Sequence, residues 1–269
     1  MTQFFPRTVR AVSLILTASA LANGPTAMAG PARAPQFTHI VDLTHTLSSR
    51  FPVIPVPGLT FAFEQKPIAT VEKNGVFANE WHMIEHNGTH IDAPIHFIPG
   101  GAAMEALAVK DLVVPAIVID IQARAKADPD ATLTVADIRA WEAKHGPIPA
   151  NAAVFMNSGW ASKATADPRG FVNLDEAGRT HFPGFAPEAI QFLVTERKIA
   201  GIGVDTLSFD PAGTGAMYPG HKALFKAGKW GIENLAGLDL IPAVGATVFI
   251  GALKVEGASA SPIRLLAVW

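Results

Sequence analysis

Residues 81–97 read WHMIEHNGTHIDAPIHF, and four of the chain's nine histidines fall inside this stretch. His86, His90, Asp92 and His96 are separated by even intervals. In an extended chain alternate residues share a face, which turns all four toward one cavity. A helix would also bring His86 and His90 together at i, i+4. Gly88-Thr89 and Pro94 are poor helix residues, however, and extended or looped backbone is the better reading. Two imidazoles and a carboxylate are a common ligand set for zinc, manganese or iron, with positions left open for water and substrate. A lone histidine is as often a satisfied polar group. The metal reading rests on the clustering with Asp92 beside a glycine and a proline that restrict the backbone.

Outward from this stretch, short apolar runs bounded by Gly and Pro alternate with helical patterns. Residues 116–121 (AIVIDI), 153–157 (AVFMN), 199–205 (IAGIGVD), 246–253 (ATVFIGAL) and 263–269 have the length and β-branched content of buried strands. Residues 134–145 form a helix in this reading, with Thr134 as N-cap, Asp137 three positions on, and Gly146-Pro147 closing it. A second helix covers residues 186–198, with Pro187 in its first turn and Ile190, Leu193 and Val194 on one face. Neither a repeat nor a linker divides the chain beyond residue 36, so the expectation is one mixed α/β domain over residues 37–269.

The bulk composition supports a compact enzyme rather than a polyelectrolyte binder. Hydrophobic residues make up 49% and charged residues 16%, with a formal net charge of -2. No long basic run is present, so neither nucleic acid nor an anionic membrane is an expected partner. The absence of cysteine excludes disulfides, thiolate metal sites and a cysteine nucleophile together. There is no GxSxG elbow for a serine nucleophile either. At the N-terminus, Arg7 and Arg10 precede an apolar run over residues 11–22, and Ala27-Met28-Ala29 offers a small-x-small cleavage site. Residues 1–29 therefore read as a signal peptide and residues 30–36 as a flexible lead-in. The alternative is a short membrane anchor, but the run falls short of the roughly 18 apolar residues that span a bilayer. The expected product is exported, periplasmic or secreted, and free of the membrane after cleavage.

Residues 86–96, HNGTHIDAPIH, match the HxGTHxDxPxH signature of the cyclase family, which includes bacterial kynurenine formamidases and isatin hydrolases. The likeness runs from Asp42-Leu43-Thr44 to the C-terminus, and residues 203–211 (GVDTLSFDP) resemble the family's GxDTxSxDP segment. The resemblance implies a swivelling β/β/α domain, with a mixed sheet curled into a partly closed barrel and helices outside. It implies that His86, His90 and Asp92 are metal ligands and that His96 is the catalytic acid/base. In two-metal formamidases a histidine and a glutamate twelve residues later complete the site. His221 and Glu233 have that spacing here, which extends the ligand set to them. One or two divalent ions, zinc or manganese, are implied, as is a homodimer or higher homo-oligomer. One departure stands out. Kynurenine formamidases commonly carry tryptophan in a PxWPG-like turn, and Val56 takes that place in Pro55-Val56-Pro57-Gly58.

These residues suit hydrolysis of an amide, formamide or lactam. The metal would acidify water and polarise the carbonyl, and His96 would take a proton from the water and return it to the leaving nitrogen. A non-catalytic periplasmic metal- or solute-binding module is the alternative from another class, and a purely structural envelope protein is the third. A binder has no need of His96. Trp81, Phe97, Trp160 and Trp230 are candidates for an aromatic pocket, with core packing as the default. Asp205 and Ser208 end a strand, where a supporting role is the more natural one.

Overall fold

A strand buried on both faces reads as a continuous apolar run. Residues 116–119 and 153–156 are such runs, and each sends alternate side chains into two different cores. The computed structural model describes residues 36–214 and 217–269. The export segment and most of the lead-in lie outside the described residues.

Within Phe37–Trp269, the main sheet consists of β1 (Ile40–Asp42), β2 (His90–Asp92), β3 (Val113–Asp120), β4 (Ala153–Asn157), β5 (Gly201–Val204), β6 (Trp230–Glu233), β7 (Ala246–Ala252) and β8 (Ala260–Val268). The order is β1-β8-β7-β3-β4-β5-β6-β2, and β2 also pairs with β8. That last pairing closes seven strands into a barrel and leaves β1 outside it. β3 to β6 run parallel, and every other pairing is antiparallel. The expected mixed, barrel-like sheet is present.

The barrel interior holds Ile91, Val118, Phe155, Ile232, Val248 and Leu265. A barrel this narrow leaves no room for a side chain on part of β5. A Cβ at Gly201 would overlap the Trp230 ring, and one at Gly203 would press on Phe155 and Leu235. The outward residues Ile117, Ile119, Val154, Met156 and Ile202 are covered by α1 (Val135–His145), α2 (Pro187–Phe192) and α3 (Pro219–Lys226). α1 begins with the expected capping box: Thr134 Oγ1 accepts from the Asp137 N–H, and the Asp137 carboxylate accepts from the Thr134 N–H. Trp141 on α1 donates its Nε1–H to the Val118 carbonyl at 2.9 Å, docking the helix on the sheet.

Several expected boundaries shift. The strand expected over residues 199–205 contracts to Gly201–Val204, and the C-terminal strand begins earlier, at Ala260. The helix expected over residues 186–198 is α-helical only to Phe192; Leu193–Arg197 forms a π-helical turn before Lys198 ends it at φ 51°. Trp81 is not part of a core. It sits 63% exposed on a hairpin formed by Glu64–Ala69 and Ala78–His82. No described helix is long and apolar enough to cross a membrane.

Candidate metal centre

Strand register creates the centre of the site. β2 and β6 are antiparallel, with Glu233 opposite His90 and Gly231 opposite Asp92. Ile91 and Ile232 point into the barrel, so the alternating His90, Asp92 and Glu233 lie on its outer face. Gly231 leaves space against Asp92 that Phe209 occupies, since a Cβ on Gly231 would overlap the Phe209 ring. Phe209 in turn stacks on the His221 imidazole at 3.8 Å and 20°. His221 lies in the first turn of α3 and is held there by Asp210. The carboxylate accepts from the Gly220 N–H at 2.6 Å, the His221 N–H at 3.0 Å and His221 Nδ1 at 2.6 Å.

All five residues expected as ligands converge. His90 Nε2 stands 3.3 Å from Asp92 Oδ1 and 3.5 Å from Glu233 Oε2. His221 Nε2 stands 3.4 Å from Glu233 Oε1 and 3.7 Å from Asp92 Oδ2. His86 Nδ1 is 2.9 Å from Asp92 Oδ1. His96 joins them, its ring 4.1 Å from that of His86. Ligand atoms of His86, Asp92 and His96 lie within 4.8 Å of one another, as do those of His90, Asp92 and Glu233. The geometry thus groups a His96 ring nitrogen with the ligand atoms of His86 and Asp92.

Even spacing along an extended chain is not what assembles the upstream four. Only His90–Asp92 is a strand. His86 precedes a turn in which Gly88 adopts φ 67°, a left-handed conformation that favours glycine. His96 ends a 3-10 turn, Pro94–His96. The turns deliver the outer histidines to the same place that alternation would have.

Three buried atoms at this centre lack any hydrogen-bond partner: His90 Nε2 and both oxygens of Asp92. Unpaired buried polar atoms are costly, and three facing one point fit a bound cation. The His90 tautomer agrees, because its Nδ1–H donates to the Gly88 carbonyl at 2.9 Å and leaves the Nε2 lone pair inward. Burial alone would lower the pKa of His90, but Asp92 and Glu233 raise it to about 9. Burial likewise opposes protonation of His221, yet Asp210, Asp92 and Glu233 hold its pKa well above the usual range. For Asp92, burial pushes up while His86, His90 and His221 pull its pKa well below the carboxylate range. His96 moves the other way. Burial lowers it to about 4, with Asp92 opposing and His86, His221 and His90 reinforcing.

A cavity of about 490 Å³ opens over these groups, walled by Phe51, Ile54, Val56, Leu59, Phe97 and Leu207. Among the described residues that line it there is no lysine or arginine. A larger open groove of about 710 Å³ runs along the hairpin and holds none of the site residues. Trp160 and Trp230 are buried in the cores, so of the four aromatic candidates only Phe97 faces the cavity. Ser208 lines it, whereas Asp205 is a clamp between strand ends. Its carboxylate accepts the Ser158 hydroxyl at 2.6 Å and the Trp160 N–H at 2.9 Å. Phe209 and Asp210, which set His221, were not singled out from sequence although both lie inside the quoted residues 203–211.

The Cyclase family matches residues 41–211. An isatin hydrolase from Roseibium aggregatum is 38% identical over 242 residues, covering 85% of this chain and 91% of that protein. A kynurenine formamidase from Polaromonas naphthalenivorans is 28% identical, covering 88% of this chain and 94% of that protein. The solved isatin hydrolase A from Ralstonia solanacearum superposes with a TM-score of 0.80 at 35% identity, covering 86% of this chain and 91% of that one. With the signature residues gathered on one buried centre and the likeness spanning nearly the whole of these relatives, this chain belongs to the cyclase family and is a metal-dependent hydrolase.

Proposed function

We propose that the chain hydrolyses the C–N bond of an uncharged aromatic lactam or formamide, with isatin as the reference substrate. The observation that carries this is the pairing of a cation-fitting centre with an apolar cavity lined, among the described residues, by no lysine or arginine. A substrate bearing a free carboxylate, such as N-formylkynurenine, would bring that charge into a cavity with no lysine or arginine to pair it. Val56, on the cavity wall where formamidases carry tryptophan, supports the same choice.

His86, His90, Asp92, His221 and Glu233 would hold the metal, zinc or manganese, as one or two ions. A divalent cation there supplies Lewis acidity, polarising a carbonyl and acidifying water. His96, with its pKa lowered to about 4, is neutral at ordinary pH and keeps a lone pair to accept a proton from the attacking water. Once protonated it is more acidic than an ordinary imidazolium, and it gives that proton to the departing nitrogen. A lactam then opens to an aromatic amine and a carboxylate.

Export of residues 30–269 after removal of residues 1–29 belongs to this reading, as does homo-oligomerisation. Exposed Ile68, Val71, Phe77 and Trp81 on and around the hairpin support the latter. The test is elemental analysis of purified mature protein, paired with hydrolysis assays on isatin and N-formylkynurenine. Metal-loaded protein should open isatin and act far more slowly on the formamide. Metal-loaded protein inert on both, and on a wider panel of amides, would restore the non-catalytic binder.

A further inference from the structure

His86 has two ring nitrogens, and only one faces the metal centre. Nδ1 points at Asp92 Oδ1, while Nε2 lies 3.2 Å from Ser259 Oγ. The Ser259 hydroxyl has a single proton, which it donates to Glu85 Oε2 at 2.6 Å. The same oxygen accepts the Ser259 N–H at 2.8 Å and the Ala260 N–H at 3.2 Å. With its own proton committed, Ser259 Oγ can only accept from His86. Nε2 therefore carries the hydrogen, and the Nδ1 lone pair is left on the side of Asp92.

We infer that Ser259 and Glu85 are positioning residues that select the His86 tautomer and hold its Nδ1 toward the metal. The inference rests on the reading of His86 as a ligand. His90 is oriented by a neutral backbone carbonyl, that of Gly88. His86 instead leans on an ionisable side chain through one hydroxyl, and a charge-assisted hydrogen bond is roughly twice as strong as a neutral one. The location adds a second role. Ser259 precedes β8, whose Ala260 pairs with Asp92, and the Ser259 carbonyl accepts the Ala93 N–H at 2.8 Å. One serine thus ties the His86 turn to the strand that carries Asp92, at the seam where the barrel closes.

The test uses the mature protein and a chelator competition with Zn²⁺, with the melting point of the metal-free form recorded alongside. Ser259→Ala and Glu85→Gln should each weaken Zn²⁺ binding by ~10–100-fold, the usual range for the partner of a ligating histidine. Ser259→Thr, which keeps the hydroxyl, should bind within a few-fold of wild type. Combining Glu85→Gln with Ser259→Ala should cost clearly less than the sum of the two single losses, because the Glu85 carboxylate reaches the His86 ring only through that hydroxyl, although it also holds the Ser259 and Ala260 N–H groups. Ser259→Ala binding at wild-type strength while His86→Ala loses the metal would overturn the inference, and so would additive losses. Wild-type affinity in His86→Ala would instead remove the ligand reading on which it stands.

Discussion

Metal binding at this centre should displace two protons. In the metal-free protein Asp92 and Glu233 face His90, whose pKa they raise to about 9, and His221, which is raised as well. Both imidazoles are then protonated at neutral pH, and both must lose a proton for their Nε2 atoms to serve as ligands. Each proton displaced changes affinity tenfold per pH unit, so the apparent dissociation constant should fall ~100-fold per unit wherever both imidazoles are protonated in the metal-free form. His221→Ala should reduce that slope to ~10-fold per unit, since one exchangeable proton is gone. Chelator-buffered titrations at three pH values measure the slope, and calorimetry in two buffers of different ionisation enthalpy counts the protons. A pH-independent affinity would refute the argument, as would an unchanged slope in His221→Ala.

The same linkage sets a stability trend for the metal-free form. The folded pKa of His90 is about 9, above its ordinary 6.5, so its contribution is complete below 6.5 and is lost as pH rises through 9. At about 1.4 kcal/mol per unit this amounts to ~3 kcal/mol, and saturating metal should remove the trend.

Replacing His96 with alanine should lower turnover by roughly 10²–10⁴ and leave metal content and the Michaelis constant little changed. Loss of metal together with activity would make His96 a ligand, a role for which it stands close enough. Gly203→Ala should cost ~1–3 kcal/mol in thermal or denaturant unfolding, because the new methyl meets Phe155 and Leu235 inside the barrel; unchanged stability would contradict that packing. The acidic limb of the pH–rate profile should move to lower pH when metal is added in excess. Protonation of His96 near pH 4 would give a limb that added metal does not move.

The parts of the molecule that were legible in the sequence share one property: their signal is local. β3 and β4 announce themselves as apolar runs because both of their faces are buried. α1 announces itself through Thr134 and Asp137, which satisfy each other's backbone within one turn. β2 and β6 do neither. Each is short and lacks an apolar run; β2 is readable as extended only through the even spacing of His90 and Asp92, and β6 offers no periodic signal. Trp81 misled in the opposite sense, since a tryptophan near the histidine cluster in sequence can still sit on an exposed hairpin.

The candidate site shows the same division. Residues 86–96 hold four of its side chains because a turn, a three-residue strand and a 3-10 turn can gather them without help from elsewhere. His221 and Glu233 could be found only through family spacing, because what joins them to the others is register. Glu233 meets His90 because β6 pairs antiparallel with β2, and β6 is placed by its parallel pairing with β5. That second pairing depends on Gly201 making room for Trp230 inside the barrel. The residues that orient the ligands are more hidden still. Asp210 reaches His221 across a loop, and Ser259 reaches His86 across the seam between β2 and β8. Neither contact has a period or a spacing. Both follow from closing the barrel, so the chemistry encoded in one segment becomes a site only when the seven-stranded ring is complete.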